Sequence, residues 1–225
     1  MQTLSHDEAK GFYDWFGAKQ DSQRFYEDAA VADLIAHADF HEARSVFEFG
    51  CGTGRLAERM LSDYLPSDCR YRAIDVSSTM VRLAQERLAR WGERVRIEQT
   101  SGSMTVAAPD AGFDRFVASY VLDLLSEQDI ASLLDEAHRL LGPGGLLCTV
   151  GLTHGTSPSA RICGPIWQAL FRLHPKLVGG CRAVVVNNFL RQSDWSVHYA
   201  NVITRFGMSS EVLVATRKGT NNSCN

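Results

Sequence analysis

Apolar residues along this chain switch repeatedly between two spacings. Val46-Phe47-Glu48-Phe49 is a short, nearly continuous apolar run that ends abruptly in Gly50-Cys51-Gly52-Thr53-Gly54. Leu56, Met60, Leu61 and Tyr64 then recur at helical spacing. This predicts a buried strand, a glycine turn and an amphipathic helix. The alternation continues downstream. Tyr71-Arg72-Ala73-Ile74-Asp75 reads as a second strand, and Ser77-Ser78 can cap a helix with Met80, Val81, Ala84 and Leu88 on its apolar face. Gly112 to Ser119 reads as the fourth strand. A helix from Ser126 follows, with Asp129 in a variant of the capping box. Leu140-Leu141-Gly142-Pro143-Gly144-Gly145 stops that helix before a fifth strand over Leu146 to Leu152. Strand and helix in turn over residues 44–152 imply a parallel sheet.

The flanks differ from this core. Residues 6–40 read as two helical pieces, the second with Phe25, Ala29, Ala32, Ile35 and Ala36 at roughly helical spacing. Residues 153–181 interrupt the alternation with Ser157-Pro158 and an apolar helix from Ile162 to Leu173, ended by Pro175 and Gly179-Gly180. A helix around Val184 to Arg191 comes next. Two strands, Trp195 to Phe206 and Glu211 to Arg217, then turn at Gly207-Met208-Ser209. No internal repeat is present, and the polar tail from Gly219 reads as frayed.

Three glycines at alternate positions let a backbone turn tightly and approach a ligand without Cβ interference. The N–H groups of the helix that starts near Thr53 point at the same place. The run therefore predicts a nucleotide-type cofactor site at the C-terminal edge of a parallel sheet. A dinucleotide fingerprint, G-x-G-x-x-G, wants glycine or alanine where this chain has Arg55. Glu48 precedes the first glycine by two residues and would repel a pyrophosphate, whereas it would attract an ammonium or a sulfonium-bearing amino acid.

Glu48-Phe-Gly-Cys-Gly-Thr-Gly54 resembles the first motif of the class I S-adenosylmethionine-dependent methyltransferases. The resemblance covers roughly residues 44–152 and extends more loosely to the C-terminus. It implies a Rossmann-like α/β fold: a seven-stranded, mostly parallel sheet with an antiparallel C-terminal hairpin, N-terminal helices and a helical insertion after the fifth strand. The chain then reads as one domain over 1–225. Residues 6–40 are the helical cap, 44–152 the cofactor core, 153–192 a substrate lid and 193–218 the closing strands. By the same resemblance Asp75 holds both ribose hydroxyls, which suits a carboxylate accepting two parallel hydrogen bonds. Val76 and Met80 flank the adenine. Gly50, Cys51, Gly52, Gly54, Gly102, Ser103, Met104 and Ser119 complete the cofactor set with Glu48. Tyr13 or Tyr26 in the cap would bond the cofactor carboxylate. Relatives often carry an aspartate after the third strand, but Thr100-Ser101-Gly102-Ser103-Met104 has no acid. A serine hydroxyl or backbone group would take over, or apolar contact would hold the adenine.

Candidate acceptor residues follow the fourth and fifth strands. Tyr120 and Asp123 lie where such enzymes place substrate contacts, and Trp167 would belong to the lid. His154 lies at the same edge and could act as a general base, since imidazole titrates near neutral pH. A solvent-facing loop histidine is the plainer reading of that residue. His138 reads as structural. Methyl transfer from a sulfonium expels a neutral thioether, so alignment and water exclusion are the expected sources of rate.

Composition narrows the partners. The chain has 225 residues, 45% hydrophobic and 22% charged, with a net charge of −3. That balance argues against a life on phosphate backbones. Ser119-Tyr120-Val121-Leu122 lacks the Pro-Pro-aromatic segment of nucleic-acid amino-methyltransferases. A small acceptor is expected, quinone-like, lipid-like or another natural product, with S-adenosylhomocysteine as the second product. No apolar run is long enough for a spanning helix, although Arg161, Arg172 and Lys176 could bring the lid to a phospholipid surface. The N-terminus does not read as a signal peptide. None of the six cysteines form C-x-x-C, so no metal is expected, and a reduced cytoplasm suits them. A monomer or homodimer is expected. Two alternatives stand beside this reading: a nucleotide-dependent oxidoreductase, and a non-catalytic S-adenosylmethionine-binding protein.

Overall fold

The computed structural model describes residues 5–17, 20, 24–155 and 181–219. Two helices, α1 (His6–Phe16) and α2 (Arg24–His37), precede the sheet. Then follow β1 (Ser45–Phe49), α3 (Arg55–Asp63), β2 (Arg70–Asp75), α4 (Ser78–Leu88), β3 (Val95–Gln99), β4 (Phe113–Ser119), α5 (Glu127–Leu140), β5 (Leu141–Leu152), β6 (Trp195–Arg205) and β7 (Met208–Arg217). Among the described residues seven strands make one sheet in the order β3-β2-β1-β4-β5-β7-β6. β1 to β5 run parallel, and β7 and β6 return antiparallel. The chain leaves β1 for β2 on one side and takes up β4 on the other. This order makes the C-terminal end of β1 the switch point where an open α/β sheet leaves a crevice.

Alternate residues of each strand feed two apolar layers. Phe47, Phe116, Leu147 and Leu213 pack under α5, while Val46, Val117, Cys148 and Val214 pack against α2, α3 and α4. Glu48 follows Val46 by two residues and so points into the second layer. The helix starts read from sequence are present. Ser77 Oγ accepts from Met80 N and Ser126 Oγ from Asp129 N, each at 3.1 Å.

The structure corrects four expectations. The buried face of α2 is Tyr26, Ala30, Val31, Leu34 and Ile35, whereas Phe25, Ala32 and Ala36 are exposed. Small alanines on both sides of the helix left its apolar phase ambiguous. The helix read over Val184 to Arg191 is only a 3₁₀ turn at Val186–Phe189. Three successive valines resist helix, and the Glu211 carboxylate takes Val186 N at 2.6 Å. β5 begins at Leu141 rather than Leu146, because Gly142 to Gly145 forms an irregularity inside the β4–β5 pairing instead of a turn before it. The last hairpin turns at Phe206-Gly207, one residue earlier than read, with positive φ at both (50° and 80°) as a primed two-residue turn requires. The lid helix with Trp167, and the basic residues Arg161, Arg172 and Lys176, lie outside the described residues. No described helix is long and apolar enough to cross a membrane.

Candidate active site

The glycine turn divides its labour. Gly50 has φ +75°, and a Cβ there would come within 2.7 Å of the Val121 side chain. Gly52 has φ +52°, and a Cβ there would lie 2.8 Å from Gln20 Oε1. Both positions therefore need glycine for conformation and for space. Gly50 N and Cys51 N donate to Ile74 O at 2.9 and 3.1 Å, which ties the turn to the end of β2. Gly54 serves another purpose. Its Cβ would meet Ala84 Cβ at 3.0 Å, so it lets α3 and α4 pack closely and does not line the cleft.

Two connected clefts open at this edge. The first, of about 770 Å³ counted to its mouth, is walled by Phe49, Ile74, Met80, Met104, Val121, Leu124 and Leu125, with Tyr13, Asp75, Val76, Thr100 and Gly102. The second, of about 630 Å³, is lined by Glu27, Glu48, Cys51, Thr53, Arg55 and Arg59 among others. Gln20, Gly50, Gly52, Ser119 and Tyr120 belong to both. Gln20 Oε1 is buried at the junction without a hydrogen-bond partner among the described residues.

Two carboxylates flank the turn. Asp75 accepts from Gly52 N at 2.8 Å and from Ser77 N at 2.9 Å, one bond to each oxygen. Each oxygen keeps a lone pair for a ligand. Burial pushes the Asp75 carboxyl above the usual range, against the pull of those N–H groups. Glu48 is 1% exposed and accepts from Tyr71 Oη at 2.8 Å. Burial raises its carboxyl to about 7, the Tyr71 bond lowers it and the Asp75 charge raises it. A cation placed there would restore its ionised form.

A third group of residues stands at the far end of the clefts. Tyr120 has φ +51°, a strained conformation for a bulky side chain. It is held there by a bond from its N to Val150 O at 2.7 Å and by its hydroxyl, 2.8 Å from Ser210 Oγ. Its ring meets Tyr26 edge to face at 5.9 Å. Tyr26 is buried beside Leu152 and Cys181 and lines neither cleft. Asp123 is 1% exposed, and hydrogen bonds from its own backbone, from the Cys181 thiol and from the Leu152 backbone hold its carboxyl down. Burial pushes its carboxyl up to about 7. Glu27 is also pushed up to about 7 by burial, although Arg55 lies 3.2 Å away and opposes the shift.

Most of the residues singled out in sequence meet at these clefts. The exceptions are instructive. Ser103 is exposed and accepts from Thr105 N at 3.1 Å as part of a turn, so Thr100, Gly102 and Met104 form the wall beneath β3. Asp123 lies behind that wall rather than in it. His154 is exposed just beyond β5 and lines neither cleft. Sequence reasoning missed Ala9, Gln20, Thr100, Leu124, Leu125 and Glu27 as lining residues. Gln20 and Glu27 carry no local signal, since only the docking of α1 and α2 onto the glycine turn brings them there. Thr100 was legible as the residue directly after β3.

Residues 46–145 match the methyltransferase-domain family. A trans-aconitate 2-methyltransferase of Azoarcus sp. is 31% identical over 133 residues, 59% of this chain and 49% of that protein. A tRNA N(3)-methylcytidine methyltransferase of Drosophila melanogaster is 25% identical over 62% of this chain and 46% of its own length. The chain thus spans about half the length of these curated relatives. Among solved structures, the [4+2]-cyclase SpnF superposes with a TM-score of 0.73 at 17% identity, over 97% of this chain and 98% of that one. The N-methyltransferase NodS of Bradyrhizobium japonicum, in complex with S-adenosylhomocysteine, superposes at 0.63 and 17% identity, over 86% of this chain and 88% of its own. At these identities the superpositions show the shared Rossmann-like fold.

Proposed function

We propose that residues 46–145, which match the methyltransferase-domain family, are a class I S-adenosylmethionine-dependent methyltransferase domain and that this chain uses it to methylate a small, largely apolar acceptor. The carrying observation is the glycine cradle at the switch point with a buried carboxylate on either side. The residues fit S-adenosylmethionine. Two Cβ-free positions line the clefts, Gln20 Oε1 is buried there without a partner among the described residues, and Asp75 lines the first cleft. Asp75 would hold the ribose hydroxyls, and Val76, Met80 and Met104 would sandwich the adenine. Glu48, beside the second cleft, would face the cationic end. No acid follows β3, so apolar walls and the backbone around Gly102 would hold the base. When bound, this cofactor supplies an electrophilic methyl group on a sulfonium.

The chain's own task is to align an acceptor and exclude water. Apolar side chains, among them Phe49, Ile74, Met80, Met104 and Val121, wall the first cleft, which supports an apolar acceptor. The net charge of −3 supports a small molecule over a nucleic acid, although several relatives act on tRNA by their names. Calorimetric titration with S-adenosylmethionine and S-adenosylhomocysteine tests the reading. Wild type should bind both. Asp75→Ala should lose about 2 kcal/mol, some thirtyfold in affinity, because a charged acceptor of two hydrogen bonds is removed. No binding by wild type would overturn the proposal.

A further inference from the structure

Asp75 lines the first cleft and not the second, and Glu48 the second and not the first. A cofactor whose ribose sits on Asp75 and whose ammonium faces Glu48 must therefore cross the junction between the clefts. The atom that joins its ribose to its amino acid is the sulfur. Gln20, Gly50, Gly52, Ser119 and Tyr120 line both clefts. The two glycines offer no side chain, and the Tyr120 hydroxyl is engaged 2.8 Å from Ser210 Oγ. Gln20 differs. Its Oε1 is buried and has no hydrogen-bond partner among the described residues. A buried carbonyl without a donor is destabilising, so its place in the fold calls for a reason. The carboxamide packs onto Gly52, where an added Cβ would stand 2.8 Å from Oε1 and 3.1 Å from Nε2. Gly52 in turn gives its N–H to Asp75 at 2.8 Å. One glycine thus carries the ribose carboxylate on its backbone nitrogen and the carboxamide on its bare face. The cations of the second cleft are directed elsewhere. Arg55 is engaged by Glu27 and Asp28, and the Arg59 guanidinium lies 5.9 Å from the centre of the Tyr64 ring.

We propose that Gln20 is a specificity-determining residue that reads the charge on the cofactor's sulfur. The proposal rests on the methyltransferase reading above. A carbonyl oxygen carries a partial negative charge, and its attraction to a sulfonium is strengthened where water is excluded. The same oxygen repels the lone pairs of a neutral thioether. Gln20 therefore favours the methyl donor over the spent product, and it loosens its hold once the charge has left sulfur. Glu48 does not supply this discrimination through the ammonium, because donor and product both carry one.

Calorimetry on the full chain compares S-adenosylmethionine, S-adenosylhomocysteine and sinefungin, which carries an ammonium at the place of the sulfonium. Gln20→Met puts an apolar side chain of similar length at the junction. In this variant the affinity ratio of S-adenosylmethionine to S-adenosylhomocysteine should fall about tenfold from its wild-type value, as for a lost charge-assisted contact. Sinefungin should lose a similar factor, whereas S-adenosylhomocysteine should change by about twofold or less. In Gln20→Glu, which keeps an oxygen at this point, the ratio should stay at or above that of wild type. Without ligand, Gln20→Met should melt no lower than wild type, because it removes an unpaired buried carbonyl. An equal loss for donor and product would overturn the inference. It would mean that Oε1 meets the ammonium common to both, or, with a lower melting temperature, that Gln20 only packs onto Gly52. An unchanged ratio in Gln20→Met would overturn it as well. Failure of wild type to bind S-adenosylhomocysteine at all would instead overturn the cofactor reading, so the two failures are distinguishable.

Discussion

The two ends of the cleft are built in opposite ways. The cofactor end is local: Glu48, Gly50 and Gly52 come from a single strand–turn segment, and Asp75 from the next strand over. Its two carboxylates are paired, Asp75 held by Gly52 and Ser77 and Glu48 by Tyr71. The far end draws Tyr13, Tyr26 and the stretch from Tyr120 to Asp123 from three separate segments, and it contains a strained tyrosine. A site that binds one unvarying cofactor can be finished in advance. The far end carries a strained backbone at Tyr120, whose cost is borne by the rest of the fold.

Three perturbations should break or sharpen this contrast. Gly50→Val should do most, because it adds a β-branched side chain at φ +75° where even a Cβ would stand 2.7 Å from Val121. Affinity for S-adenosylhomocysteine should fall more than about a hundredfold by calorimetry, the equivalent of about 2.7 kcal/mol. Retained affinity would mean that the turn is not the cofactor cradle.

Glu48→Gln comes next and reads out in pH. A free glutamate ionises near 4.3, whereas Glu48 in the fold ionises at about 7. Between those values the folded chain keeps a proton that the unfolded chain has lost. The stability from this group is therefore complete below about pH 4.3 and is lost as pH rises through about 7, on the order of 4 kcal/mol at most. Glu27 and Asp123 titrate in the same window. Denaturant melts should thus show wild-type stability falling from about pH 5 to about pH 8, with a shallower fall in Glu48→Gln. Binding of S-adenosylhomocysteine should have the opposite slope in wild type, because its ammonium favours ionised Glu48. In the variant that slope should vanish.

Arg55→Met should do least. Arg55 joins α3 to Glu27 and Asp28 on α2, but it is a partly exposed ion pair. Such pairs contribute below about 1 kcal/mol, so the melting temperature should move only slightly. Cofactor affinity should stay within about twofold, since the backbone cradle does not depend on this pair. A large loss of affinity would show that α2 is held over the second cleft mainly by this arginine.

The cofactor end was legible in sequence because its signals are short-range. A strand, an acid two residues before a glycine, and three alternate glycines specify a conformation wherever they occur. The helix caps at Ser77 and Ser126 were legible for the same reason. Legibility failed where two local patterns were nearly equal. On α2, alanines on both sides blurred the apolar phase, and burial against β6 and β7 chose the face carrying Tyr26, Val31 and Leu34. At Val184 to Val186 the β-branched run and the distant Glu211 defeated a helix. Gly54 matched the motif, yet it serves the contact with Ala84, a partner 30 positions away in sequence.

The chain by itself determined an alternating α/β core, a crevice at the end of β1, and carboxylates suited to a cationic cofactor, because apolar period, glycine conformation and charge act over a few residues. Only the tertiary structure decided that Gln20 faces Gly52, that Ser103 turns away, and that Asp123 is buried. Burial and hydrogen-bond satisfaction depend on what arrives from distant segments, and no local pattern encodes that arrival.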